Sequence, residues 1–442
     1  PKLLVQALTH RIETIRNPGI APFPFLPHTS RVMHRDSHPH WINKREGPRP
    51  YRHLPQCVHF PDCAGCQLIS RSYPEQLTIK RRLLTEAISV HPSLAHLRAP
   101  PVIPSPRRLH YRARVKLVVG HGKGQILTGL YVPGTHRIAD ISSCPVHPDA
   151  VNRVVQFLKK NLNAIKILPY DARSDEGQLR YLDFRYSFWR KEIALTLVTK
   201  HAAFPQGRSL AQALSARFPF ITGVFQNINE EAGNVIWGKD FRALAGNGAV
   251  IERIGPHKLK YPAGVFSQAN PATAQKLYER VCEMAALSGK ENVLDLYCGV
   301  GPISLYLAAS ARMVWGIDES RMATATAKQN AKLNGFGNCH FLAGNVAETI
   351  AAAKRELDRI DVVVVNPPRK GIQPDAFGPL LALAAPTLLY VSCNPVTLAR
   401  DLVRLGREGY QTEVIEAFDM FPQTTEVETA ALLKRPVPGQ SS

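Results

Sequence analysis

A thiol stands where a buried strand should end: Ser392-Cys393-Asn394-Pro395 follows the apolar run Leu388-Leu389-Tyr390-Val391. Open α/β sheets hold their ligands beyond the carboxyl ends of the strands, so Cys393 is placed to act as a nucleophile. On its own it would more often be a small core residue, because free cysteine is among the most buried residue types. Two further apolar runs change that balance. Val293-Leu294-Asp295-Leu296-Tyr297-Cys298-Gly299-Val300-Gly301 and Val362-Val363-Val364-Val365-Asn366-Pro367-Pro368-Arg369 both pass from strand-like sequence into residues that can meet a ligand. Together the three describe a nucleotide-cofactor fold with a nucleophile beside it.

Gly299 and Gly301 precede the helical stretch Ile303-Ser304-Leu305-Tyr306-Leu307-Ala308, at a strand-to-helix turn where glycine lets backbone approach a ligand. The next strand ends at Ile317-Asp318, about 20 residues on, where a carboxylate can accept both ribose hydroxyls. The turn Gly299-Val300-Gly301-Pro302 lacks the third glycine used for close pyrophosphate packing. That favours a nucleoside without a pyrophosphate, S-adenosylmethionine. Asn345, beyond a strand ending near Leu342, is placed either to meet the adenine edge or simply to shape a turn after Gly344.

These residues need a scaffold, and the 442-residue chain is long enough for two or three domains. From residue 263 to 435 short apolar runs alternate with amphipathic helices, which predicts a doubly wound sheet with parallel strands. Residues 53–262 predict a β-rich α+β domain: a helix over Tyr73–Ser89 with Lys80, Arg81 and Arg82 on its solvent side, then strands near 111–119, 126–132, 138–141, 180–186 and 193–199. Residues 1–52 are rich in Pro, His and Arg without periodicity and read as a basic arm; 436–442 read as a tail. The chain carries 55 Lys and Arg against 35 Asp and Glu, a formal +20, which favours a polyanionic partner such as nucleic acid. It has no apolar run long enough for a membrane span and no signal-like start, so a cytoplasmic protein without membrane partners is expected.

The chain resembles the RNA uracil-C5 methyltransferases, which use S-adenosylmethionine to make 5-methyluridine. The resemblance rests on Phe266-Ser267-Gln268-Ala269-Asn270, the Asp295–Gly301 stretch, the run from Ser392 to Asp401, and Asp419-Met420-Phe421-Pro422-Gln423-Thr424-Thr425-Glu426-Val427-Glu428. It implies a Rossmann-like methyltransferase domain at the C-terminus, with Cys393 as the nucleophile and Glu428 as the base that removes the carbon 5 proton. Glu426 stands two residues away, and the choice of Glu428 rests on the motif. The resemblance further implies that Gln268, Tyr297, Gly299, Gly301, Asp318, Asn345 and Asn366 hold the cofactor. Asn366 stands where many members carry aspartate, and its amide adds donors that a carboxylate lacks.

Cys57, Cys63, Cys66 and Cys144 form a four-thiolate set, and thiolates suit zinc or an iron–sulfur cluster. The resemblance favours a 4Fe-4S cluster in the N-terminal domain and 23S ribosomal RNA as substrate, because members acting on ribosomal RNA carry the cluster. Cys282, Cys298 and Cys339 are expected to be core thiols. Some members begin with a small β-barrel RNA-binding domain of TRAM type; residues 1–52 show no five-strand pattern, so its absence is expected, as is a monomer. Arg107, Arg108, Arg112 and Arg114 are candidates for phosphate contact. The alternatives are a methyltransferase for a transfer-RNA uridine or, given Asn366, an exocyclic amine, and a non-catalytic RNA-binding assembly factor.

Overall fold

The structure is a computed structural model that describes Pro55 and residues 57–435, apart from positions 123, 166, 172, 173, 232–234 and 247. The readings made for 1–52 and 436–442 lie outside the described residues. Helix α1 (Tyr73–Ser89) has Pro74 in its first turn, and Glu75 accepts from Ser72 N at 2.8 Å, as in a capping box. Its buried residues are Gln76, Lys80, Leu84 and Ile88, spaced four apart on one stripe. This corrects one expectation. Arg81 and Arg82 are exposed, but Lys80 lies on the inward stripe and is fully buried, because Asp419 and two backbone carbonyls meet its ammonium there. The short strand β1 (Val102–Ile103) follows.

A seven-stranded sheet comes next: β2 (Arg114–Gly122), β3 (Gln125–Tyr131), β4 (Ile138–Asp140), β5 (Leu179–Tyr186), β6 (Ile193–Thr199), β7 (Ile221–Ile228) and β8 (Asp240–Gly246), in the order β4-β3-β2-β5-β6-β7-β8. Neighbours are antiparallel except β6 and β7, which are parallel and joined through helix α3 (Gly207–Arg217). Alternation sorts the faces. Val115, Leu117, Leu182 and Phe184 bury themselves with helix α2 (Asp149–Ala164) and α3. The intervening Arg114, Lys116, Asp183 and Arg185 put charge on the opposite face. A hairpin of β9 (Val250–Ile254) and β10 (His257–Tyr261) leads onward.

The remaining chain alternates α4 (Pro271–Ala285), β11 (Asn292–Leu296), α5 (Pro302–Ala308), β12 (Met313–Asp318), α6 (Arg321–Leu333), β13 (Cys339–Ala343), α7 (Val346–Glu356), β14 (Val362–Val365), α8 (Pro374–Leu381), β15 (Thr387–Ser392), α9 (Pro395–Arg407), β16 (Gln411–Phe418) and β17 (Glu428–Lys434). With β1 these strands make an eight-stranded sheet ordered β1-β16-β17-β15-β14-β11-β12-β13. It is parallel except for β17, which runs against both β15 and β16. Helices cover both faces. Val362 and Val364 enter one core with α4, α5 and α6 residues; Val363 and Val365 enter the other with α1, α8 and α9. That two-sided burial is why β14 reads as an unbroken valine run. The chain steps outward from β11 through β12 to β13, then returns to β14 on the other side of β11, so the topological switch point lies between β11 and β14. Among the described residues no helix is long and apolar enough to cross a membrane.

Candidate active site

The switch point gathers the glycine turn. Tyr297, Gly299 and Gly301 all take left-handed backbone, at φ of +62°, +58° and +83°. A side chain on Gly301 would press on Phe341 and Ala327, whereas one on Gly299 would meet open space, so Gly299 borders the crevice. Asp318, at the end of β12, accepts from Gly299 N at 2.9 Å through one oxygen and from Ser320 N at 2.9 Å through the other. It thereby fixes the glycine turn, whereas the role expected of it was to accept the ribose hydroxyls. Asn345 caps α7, its side-chain oxygen accepting from Ala347 N at 2.8 Å, which is the turn-shaping role weighed above.

Sequence reading alone overlooks Asp295. It is fully buried at the crevice end of β11, and burial pushes its pKa up to about 7 although the Ser304 hydroxyl donates to one oxygen at 2.5 Å. The other oxygen has no partner among the described residues and is closed off from the surface. The available signal was an acid inside an otherwise apolar strand. Gln268 is also buried, and its amide makes no hydrogen bond among the described residues. It sits between Ser267, which accepts from the Arg185 guanidinium at 3.2 Å, and Ala269, whose carbonyl accepts from Ala113 N at 2.7 Å. The open glycine edge leaves the crevice room for an adenosyl group.

On the other side of the switch point, β15 delivers the thiol. In the antiparallel ladder of β15 and β17, Val391 lies opposite Ala430 and Ser392 opposite Thr429. Cys393 and Glu428 are the next residues beyond that last pair, and Glu428 lies near enough to act on the thiol. Asn394 caps α9 through Val396 N at 3.0 Å and donates to Arg369 O at 3.0 Å. This ties the cysteine turn to the Asn366–Arg369 loop. Asn366 is half-buried, and its side chain makes no hydrogen bond among the described residues.

The two candidate glutamates separate clearly. Glu426 pairs with Arg369 at 2.8 Å at a partly exposed position, whereas Glu428 is 3% exposed and has no ion pair among the described residues. Burial pushes Glu428 up to about 8, Glu426 adds to the rise and Arg369 opposes it. Burial likewise pushes the Cys393 thiol up to about 11, with Glu428 adding and Arg369 opposing. A carboxylate near 8 is suited to general-base work at neutral or slightly alkaline pH.

A second constellation lies under the seven-stranded sheet. Cys57, Cys63, Cys66 and Cys144 line one cavity of about 60 Å³ together with Arg112 and His147. Among the described residues no three His, Cys, Asp or Glu side chains converge closely enough to hold a single metal ion. Arg112 was expected at phosphate, but its guanidinium turns inward beside these thiols and lies 5.6 Å from the Phe421 ring. Arg114 bonds the buried Asp183 carboxylate at 3.3 Å. Arg107 and Arg108 are exposed, over the rings of Phe188 and Tyr73. Cys298 is buried, and Cys282 and Cys339 pack against the same apolar core, away from this cavity.

Residues 72–436 match the sequence profile described as tRNA (uracil-5-)-methyltransferase. The chain is 38% identical over 384 residues to an uncharacterised RNA methyltransferase of Geobacter sulfurreducens, covering 87% of this chain and 78% of the relative. It is 36% identical over 388 residues to another from Oceanobacillus iheyensis, covering 87% and 83%. The Pyrococcus abyssi tRNA (uracil-54, C5)-methyltransferase, solved in complex with S-adenosyl-L-homocysteine, is similar at a TM-score of 0.70 with 29% identity, covering 84% of each chain. The matched stretch takes in both the adenosyl crevice and the thiol-bearing strand end, and on these likenesses the chain belongs to the S-adenosylmethionine-dependent RNA uracil-C5 methyltransferase family.

Proposed function

We propose that this enzyme methylates carbon 5 of a uridine in 23S ribosomal RNA, with Cys393 as nucleophile and Glu428 as base. Carbon 5 of uracil is a poor nucleophile. The Cys393 thiolate, its proton lost to solvent, adds to carbon 6 and moves the ring's π electrons toward carbon 5 and oxygen 4 as an enolate. S-adenosylmethionine, when bound, supplies an electrophilic methyl group that carbon 5 takes up, leaving S-adenosylhomocysteine. Glu428 then removes the carbon 5 proton; the electron pair restores the ring double bond and expels the Cys393 thiolate. The observation that carries this reading is the end of the β15–β17 ladder, which brings the strand-end thiol near a buried, unpaired carboxylate. The target base must leave any helical stack to reach them, and Arg107 and Arg108 are exposed for the flanking phosphates.

The choice of ribosomal RNA and the 4Fe-4S cluster go together, and both lean on the cysteine cavity. Four thiols around a space of about 60 Å³ suit a group larger than one ion, whereas zinc draws its sulfurs to about 2.3 Å. Cys57, Cys63, Cys66 and Cys144 would hold the cluster, with Arg112 offsetting its negative charge. It would order this part of the fold, since methyl transfer moves no electrons to or from the enzyme. Anaerobically purified protein is expected to contain about four iron and four sulfide per chain; one zinc without iron would sink the assignment.

The activity itself is tested with S-adenosylmethionine and 5-fluorouridine-substituted RNA. Fluorine cannot leave as a proton, so the methylated product should stay bound to Cys393 through denaturation. An adduct with 23S ribosomal RNA is the expected result. One with transfer RNA alone would reassign the substrate, and none with either would favour methylation of an exocyclic amine.

A further inference from the structure

We propose that Lys80 is a positioning residue for Glu428: from the buried stripe of α1 it latches the loop that leads into β17. This rests on the reading of Glu428 as the base. The loop spans residues 419–427, and Lys80 Nζ donates at both its ends: to the Asp419 carboxylate and Phe421 O at 2.9 Å near the start, and to Glu426 O at 2.7 Å near the end. Three acceptors use all three donors of an ammonium. Lys80 and Asp419 are both completely buried. Tyr73, one helical turn from Gln76, donates its hydroxyl to the second Asp419 oxygen at 2.8 Å.

The same helix holds the loop at its centre. Gln76 and Gln423 exchange two hydrogen bonds, side chain to side chain at 2.8 Å and backbone N–H to side-chain oxygen at 2.9 Å. Gln423 takes left-handed backbone at φ +73°, a conformation that non-glycine residues keep only when their surroundings impose it. Glu428 is the last rung of its ladder with β16, opposite Phe418. Beyond that rung no strand pairing fixes the chain, and Lys80 grips the carbonyl two residues before Glu428. Without the ammonium, the Glu426 carbonyl and one oxygen of the buried Asp419 carboxylate would lose their donor, while Phe421 O would keep Thr424 and the second Asp419 oxygen would keep Tyr73, so the loop end nearest Glu428 would have to move to recover a partner.

The test separates a positioning role from a general loss of fold, because only the last chemical step needs Glu428. The full-length protein is mixed with S-adenosylmethionine labelled in its methyl group and with the unsubstituted form of the RNA whose fluorouridine version forms the adduct. Wild type, Lys80→Met and Glu428→Gln are compared for cofactor affinity, adduct formation and adduct release. Lys80→Met is expected to bind cofactor normally and to form the methylated Cys393 adduct. It should release it at least about 100-fold more slowly, on the scale by which a misplaced base costs rate. The adduct should then accumulate, with kcat and KM falling together and kcat/KM little changed. If Lys80→Met is unstable, Lys80→Met/Asp419→Leu removes both buried charges and carries the same expectation. Activity falling only with the folded fraction, without accumulated adduct, would overturn the proposal, as would unchanged release. Should Glu428→Gln itself fail to accumulate adduct, the base assignment falls and the inference falls with it.

Discussion

Cys393→Ala is expected to lower methyl transfer by more than about 10⁴-fold, the scale on which losing a covalent nucleophile acts, while S-adenosylmethionine binds as before. Cofactor affinity should survive because the crevice lies at the ends of β11 and β12, on the other side of the switch point from β15. Cys393→Ser should do little better. The thiol is itself held in its protonated form, with a pKa pushed up to about 11 by burial and by Glu428, so about one part in a thousand is thiolate at pH 8. A serine hydroxyl is far weaker still as an acid and a nucleophile. Addition to carbon 6 therefore draws on that small thiolate fraction, and wild-type single-turnover rates should climb with pH toward 11. Initial rates of methyl incorporation and the fluorouridine adduct check this together. Residual methylation above about 1% in the alanine variant would mean that carbon 5 is not activated by this thiol.

The route from sequence to site was open where one residue's neighbours in sequence determine its environment. The valine run of β14, the apolar segment before Cys393 and the glycines after β11 each declare a strand end, and the structure puts all three at one switch point. Three results depended on contacts distant in sequence. Lys80 looks like part of a basic cluster until its four-residue spacing from Gln76 and Leu84 is matched to Asp419, 339 residues away. Arg112 alternates properly with Arg114 on paper, yet it turns toward the cysteine cavity, while Arg114 pairs with Asp183 across the β2–β5 ladder. Glu426 and Glu428 are equivalent in sequence terms. Only tertiary packing distinguishes them, by giving one an arginine and burying the other without one.

Glu428→Gln is expected to turn a multiple-turnover enzyme into one that stops at the methylated adduct, with steady-state turnover down by about 10²- to 10⁴-fold, the usual contribution of a positioned base. Glutamine keeps the shape and can still occupy the pocket, but it cannot take the carbon 5 proton. Burst kinetics with unsubstituted RNA should show one methyl group transferred per enzyme and then arrest. The same substitution should stabilise the fold, with a sign set by the direction of the shift. In the folded protein the Glu428 carboxyl is raised to about 8 from an ordinary value of 4.5. Between those values the folded chain binds a proton that the unfolded chain has lost. The stability associated with that proton is complete below pH 4.5 and drains away as pH rises to 8, by at most about 1.4 kcal/mol per pH unit. Glutamine does not titrate, so the variant's melting temperature should match wild type near pH 4.5 and exceed it by a growing margin up to pH 8. Across that interval wild-type adduct release should rise with pH, because the catalytic form is the carboxylate. Activity and stability thus run in opposite directions over one pH window, and both trends vanish when the carboxyl is replaced. A variant that lost turnover without gaining stability at pH 8 would show that Glu428 is not the costly buried carboxylate on which its role as base depends.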